Sequence, residues 1–251
     1  MKKKAKKPLK VKVIGTGGIG LCVLPVLCRF LNFASDRFPD VQVSLIDGDH
    51  FEERNRERQD FTEIGPKASM TAAKLRDDFP RLSITDHPVY LDDLNVNQHI
   101  RENDLVIMCV DNHKTRKLIS ERAENLNNVT VISGGNDLTD GNVLVHIRRE
   151  GENITPPLAS AFHPEIKNPL DKHPGEIENA QGCQAMVIAE PQLLIMNNLI
   201  ASNMLVFVHN ILDDDRFAKI LKEPEYWHEQ CCDMHGQKGP KAECRARKIK
   251  K

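Results

Sequence analysis

Gly15-Thr-Gly17-Gly18-Ile-Gly20 follows an alternating apolar segment, Lys10-Val-Lys-Val-Ile, and opens an apolar stretch that runs to Phe33. Glycines between a strand and a helix permit a tight turn and let backbone approach a phosphate closely. The helix that begins there offers unpaired N–H groups and the positive end of its dipole. Gly15, Gly17, Gly18 and Gly20 therefore read as a phosphate-binding loop in a strand-turn-helix unit. A glycine turn that merely packs a helix on a sheet is the bland alternative.

The remaining chain extends that unit. Residues 42–46 read as a second strand ending in Asp47, residues 66–78 as a helix with Pro66 in its first turn, and residues 83–90 as a strand broken at Pro88. An apolar strand over 104–110 leads to a helix over 112–125, and residues 129–133 and 143–147 are two further strands. Hydrophobic residues make up 40% of the chain but aromatics only 5%, so Val, Ile and Leu must build the core, as in parallel strands covered on both faces. The fold class expected is α/β: a doubly wound, Rossmann-like, mostly parallel sheet with a long crossover loop and a C-terminal helix.

The crossover covers about residues 150–183, rich in proline, and a helix follows from about Ala185 to Ile211. Residues 1–9 read as a basic tail, 10–222 as the main α/β domain, and 223–251 as a tail containing Cys and His. A net charge of -1 supplies no general field for nucleic acid or membrane. No uninterrupted apolar run is long enough to suggest a bilayer span, and no secretory leader is evident. Seven scattered cysteines suit reduced thiols in a cytoplasm.

The glycine loop and Asp47, placed to hydrogen-bond a ribose, suit NAD as well as ATP. The next segment separates them. Asp47-Gly-Asp49 is followed by Asn55, Arg58 and Gln59, and Lys67 starts the next helix. Arg58 offers a planar fork for phosphate oxygens and Lys67 a point charge, whereas Asn55 and Gln59 hold polar groups without adding charge. Asp111-Asn112 ends the strand 104–110, with Arg116 one helical turn on. An acid at the carboxyl end of a central strand sits where α/β sheets bind ligands, and a carboxylate suits magnesium. Each residue alone has a bland reading: a solvated charge for Arg58 or Lys67, a helix cap for Asp111 or Asn112.

As a set these motifs resemble the family of ThiF and MoeB sulfur-carrier adenylyltransferases and ubiquitin-activating enzymes, over about residues 10–212. That resemblance implies ATP- and Mg2+-dependent adenylation of the C-terminal glycine carboxylate of a ubiquitin-like or sulfur-carrier protein, with release of pyrophosphate. It assigns nucleotide binding to Gly15, Gly17, Gly18, Gly20, Asp47, Asp49, Asn55, Arg58, Gln59, Lys67, Asn112 and Arg116. Arg58, Lys67 and Asp111 would stabilise phosphate charge, with Asp111 holding the magnesium. It also implies that Cys183, in Gly-Cys-Gln-Ala before the C-terminal helix, takes the acyl group as a thioester. A packing cysteine at a helix start is the alternative. Cys22, Cys28 and Cys109 read as core.

Such enzymes are usually homodimers or heterodimers, and some hand the acyl group to a conjugating enzyme. Sulfur transfer of the thiamine or molybdopterin type is the alternative outcome; a non-catalytic subunit or a nicotinamide oxidoreductase fits the motif set less well. The chain departs from the family in two places. Residues 1–10 hold lysines but no arginine to reach a partner's ATP, and no Cys pair precedes the crossover. Cys231, Cys232, His235 and Cys244 have zinc-ligand chemistry without a recognised zinc spacing, so zinc is not assigned.

Overall fold

The computed structural model describes residues 8–38, 40–56, 59–61, 63–160, 163–174, 191–224, 227–233 and 241–244. Strand β1 (Leu9–Ile14) runs into helix α1 (Gly18–Phe33), and β2 (Val41–Ile46) follows. Two short strands, β3 (His50–Phe51) and β4 (Gly65–Pro66), pair as a small ribbon before α2 (Lys67–Asp78). Then come β5 (Ser83–His87), α3 (Val96–His99), β6 (Leu105–Met108), α4 (His113–Glu124) and β7 (Val129–Asn136). β8 (Asp140–Arg149), β9 (Glu152–Asn153), α5 (Pro164–Lys167), α6 (Pro191–Leu212), α7 (Asp214–Lys222), β10 (Glu229–Asp233) and β11 (Lys241–Cys244) complete the order.

The main sheet runs β11-β10-β8-β7-β6-β1-β2-β5, with β9 on β8. Its five strands from β7 to β5 are parallel. β8, β10 and β11 extend it antiparallel. Alternation along each strand feeds two cores. Leu105 and Ile107 face α1, α2 and α6 with Val11, Val13, Val43 and Leu45, whereas Val106 and Met108 face α3 and α4 with Ile14 and Ile46. The chain leaves β1 toward β2 and leaves β6 toward β7, so the switch point lies between β1 and β6. Gly15 N–H donates to Ile46 O (3.0 Å) and Cys109 N–H to Ile14 O (2.7 Å), which ties the carboxyl ends of three parallel strands together there.

Two expectations change. The segment after 222 is not simply a tail: β10 pairs along β8 from Glu229↔Leu144 to Asp233↔Asp140, and Cys232 enters the core. Its alternation is weak because it joins the antiparallel margin of the sheet, where only one side chain must be apolar. Two helical stretches, Gly18–Arg37 and Leu194–Leu212, are also long and apolar enough to cross a bilayer, contrary to the expectation of none. Both pack on the sheet, burying Val23, Leu24, Leu27 and Leu31 from one and Met196, Ile200, Met204 and Phe207 from the other. That apolarity is accounted for by a shared core.

Candidate active site

The glycine loop is shaped by close approach. Gly15 has φ +87°, and a Cβ there would lie 2.8 Å from the Cys109 carbonyl oxygen. A Cβ on Gly20 would run into the Gly15 carbonyl, and one on Gly18 would meet the Asn197 amide of α6 at 2.5 Å. Gly17 differs. The nearest atom to its added Cβ is Gln59 Nε2 at 3.9 Å, an ordinary van der Waals contact, so nothing among the described residues crowds this position. The Gln59 Oε1 beside it is buried and has no hydrogen-bond partner among the described residues. An uncrowded glycine and an orphaned buried acceptor at its flank make a cradle suited to a nucleotide.

The two acids after β2 have separate surroundings. Asp47 Oδ2 accepts from Thr16 N–H (2.6 Å) and Thr16 Oγ1 (2.9 Å), and its Oδ1 accepts from Asp49 N–H (2.8 Å). Asp47 thus holds the loop in shape. Burial raises its pKa, and Asp49 raises it further. Asp49 has a side chain 38% exposed, and its Oδ2 accepts from Lys67 Nζ at 3.0 Å. Burial pushes the Asp49 carboxyl upward, but the Lys67 ammonium and the Tyr90 hydroxyl outweigh it, and the net pKa lies below the usual value. Of the pair, Asp49 is therefore the more open to a ligand. Lys67 is not solvated: its side chain is 2% exposed, and its N–H donates to Asp49 O (2.8 Å). Asn55 is buried and its Oδ1 accepts from Glu52 N–H (2.9 Å), closing a capping box that shapes the 52–55 turn.

At the end of β6, Asp111 is exposed, whereas Asn112 caps α4 through Thr115 N–H (2.8 Å). The bland reading of Asn112 is thus the observed one. Arg116 is buried, and its Nη2 donates to Val110 O at 2.9 Å while its guanidinium lies against Gly135. It braces the strand end that presents Asp111. Burial lowers its pKa, against the pull of Asp111, Glu165, Asp171 and Asp137. Asp171 of the crossover accepts from His113 N–H (2.7 Å), so the crossover is seated on the amino end of α4 beside Asp111.

Thus Gly15, Gly17, Gly18, Gly20, Asp47, Asp49, Gln59, Lys67, Asp111 and Arg116 gather around the carboxyl ends of β1, β2 and β6. Arg58 and Cys183 lie outside the described residues, as does His235 of the Cys/His tail. No group of three or more His, Cys, Asp or Glu that could hold a metal occurs among the described residues. Three participants carried no motif: Thr16, Tyr90 and Asp171. Gly48 was a signal for Tyr90, because a Cβ there would lie 2.5 Å from the tyrosine ring.

A doubly wound sheet with a glycine cradle at its switch point and carboxylates on either side defines an α/β nucleotide-binding protein. More narrowly, the chain belongs to the ThiF family, which matches residues 2–246. Among curated proteins it is 24% identical over 242 residues to the adenylyltransferase and sulfurtransferase UBA4 of Candida glabrata, covering 95% of this chain and 51% of that one. UBA4 of Saccharomyces cerevisiae is 24% identical over 245 residues, covering 95% and 50%. The chain spans about half the length of these relatives. Among solved structures, E. coli MccB with AMPCPP and MccA superposes with a TM-score of 0.62 at 16% identity, covering 95% of this chain and 64% of that one. MccB with ATP gives a TM-score of 0.58 at 15% identity, again covering 95% and 64%.

Proposed function

We propose that the chain adenylates the C-terminal carboxylate of a ubiquitin-like protein with ATP and magnesium. The observation that carries this is the uncrowded Gly17, flanked by Gln59, Asp49–Lys67 and Asp111 at one switch point. Membership of the ThiF family supports ATP over a nicotinamide dinucleotide, and the UBA4 relatives are by name adenylyltransferases.

The loop N–H groups and the amino end of α1 would hold phosphate oxygens, and Asp49 would accept from a ribose hydroxyl. Lys67, already desolvated and paired with Asp49, would meet phosphate charge. Magnesium commonly takes one or two protein carboxylates and completes its shell with water and phosphate oxygens, so a single exposed Asp111 fits an ion that arrives with the nucleotide. Bound there, the ion would supply neutralisation of charge on the phosphates.

The partner's carboxylate oxygen attacks the α-phosphorus. A P–O bond to it forms, the α–β bridge bond breaks, and pyrophosphate leaves with that electron pair. A carboxylate is already a nucleophile, so the chain's task is positioning and electrostatics. Arg58 would add phosphate contacts, while Arg116 keeps Asp111 in place from beneath. In the next step the Cys183 thiol gives its proton to solvent, the thiolate attacks the acyl carbon, and the C–O bond to AMP breaks with its electron pair leaving on AMP, so that a thioester remains.

The UBA4 relatives are also by name sulfurtransferases, which supports a second reading of that later step, in which the adenylate on a sulfur-carrier protein becomes a thiocarboxylate. ATP–pyrophosphate exchange with candidate ubiquitin-like proteins tests the shared first step. Exchange that depends on the partner's terminal glycine and is lost in Asp111→Ala is the expected result. Absence of both ATP binding and exchange would sink the proposal. A reducible adduct on Cys183, absent in Cys183→Ala, separates thioester formation from sulfur transfer.

A further inference from the structure

We propose that Tyr90 is a positioning residue for the Asp49–Lys67 pair: its hydroxyl holds the Asp49 carboxylate in the orientation from which Lys67 and a bound nucleotide meet it. The part that concerns nucleotide rests on the ATP reading above; the part that concerns Asp49 does not.

Asp49 is gripped at both oxygens. Tyr90 Oη donates to Oδ1 and Lys67 Nζ donates to Oδ2 at 3.0 Å. Two donors from different elements fix both the rotation of the carboxylate and its ionised form. The tyrosine is itself held in place. Its ring lies flat on Gly48, where an added Cβ would be 2.5 Å from Cγ and 2.6 Å from Cδ1 and Cδ2. Its carbonyl accepts from Asn95 Nδ2 at 2.9 Å. His173 of the crossover stands edge-on to it at 6.3 Å, with an interplanar angle of 81°, and His173 Nε2 is hydrogen-bonded to the next carbonyl, that of Leu91. The glycine between the two acids is thus the seat of a side chain that arrives from beyond β5.

This arrangement has a chemical consequence. Burial raises the Tyr90 pKa and the bond to Asp49 raises it further, so the phenol stays protonated and remains a donor throughout the neutral range. Asp49 therefore keeps an ordered acceptor even while Lys67 shifts toward phosphate. Without the hydroxyl, Lys67 alone would hold the carboxylate, and releasing Lys67 would leave Asp49 free to turn.

The test is Tyr90→Phe, which keeps the ring on Gly48 and against His173, combined with Asp49→Asn in a double-mutant cycle. Mg-ATP affinity is measured against pH by calorimetry on the full chain, and urea unfolding is measured in parallel without nucleotide. Tyr90→Phe is expected to weaken ATP binding about tenfold at neutral pH and to move the acid limb of the binding profile upward, because the carboxyl loses a donor. In the Asp49→Asn background the same substitution is expected to have little further effect, and the unfolding constants to be non-additive by about tenfold. Wild-type affinity and an unmoved acid limb in Tyr90→Phe would overturn the proposal. If the wild-type chain binds no ATP, the adenylation reading fails instead. The unfolding cycle then still decides whether Tyr90 positions Asp49, and additivity there would refute it.

Discussion

Replacing Gly15 and Gly17 separately by alanine distinguishes a glycine needed for folding from one needed for a ligand. At Gly15, φ is +87°, and an L residue in the left-handed region costs about 1–2 kcal/mol. The new Cβ would also lie 2.8 Å from Cys109 O, 3.0 Å from Cys109 C and 3.2 Å from Val110 Cγ1. Two of these are backbone atoms at the end of β6, so the clash is relieved only by moving strand ends, at about 1–3 kcal/mol by analogy with overpacked cores. Gly15→Ala should therefore lose about 2–5 kcal/mol in urea unfolding, a large part of the stability of an ordinary domain. At Gly17 the new Cβ meets nothing nearer than 3.9 Å, and stability should fall by less than about 1 kcal/mol. Its methyl would occupy the space a phosphate needs, and forfeiting a hydrogen bond to a charged group weakens ATP binding by about tenfold to a hundredfold. Calorimetric ATP titration beside the urea curves reads both effects. A Gly17→Ala protein that binds ATP like wild type would refute the placement of the cradle, and a fully stable Gly15→Ala would refute the steric argument.

Other outcomes follow from buried groups. Asp47→Ala strips acceptors from Thr16, which is fully buried, and should cost about 1–3 kcal/mol by urea unfolding even without ligand. His146 is buried and its pKa is lowered to about 4, chiefly by burial. Because the unfolded chain takes up the proton from about pH 6.5 and the folded chain does not until about 4, stability should be complete above that window. It should fall by about 3 kcal/mol as pH drops through the window, and His146→Gln should flatten that slope. Cys28 and Cys109 are pushed up to about 12 by burial, so iodoacetamide at pH 8 should leave both unlabelled until the protein is unfolded, as mass spectrometry of tryptic peptides would show.

Local chemistry was the legible part of the sequence. The glycines, the strand-end acids and the alternation of strands and helices each express a constraint that acts within a few residues, and these placed the switch point and the candidate residues that gather there. Partnerships over long distances were not legible. Nothing near Arg116 in sequence announces that Gly135, on β7, makes room for its guanidinium, and nothing near Asp171 announces that it seats the crossover on α4. A buried Arg and an exposed Arg look alike in a charged segment. β10 was missed because a strand on the antiparallel margin needs little apolar pattern, and Cys232 is too small to signal a core position.

Gly18 and Asn197 lie 179 positions apart in the sequence, yet the asparagine amide fills the space where a side chain at 18 would stand. The Gly18 corner of the phosphate loop therefore gains this packing partner only when α6 has docked on α1. Contacts of such long sequence separation form late and slowly. During refolding, native-like helix content should return before the ability to bind ATP. During synthesis, the loop near the amino end waits for a helix that leaves the ribosome well over a hundred residues later.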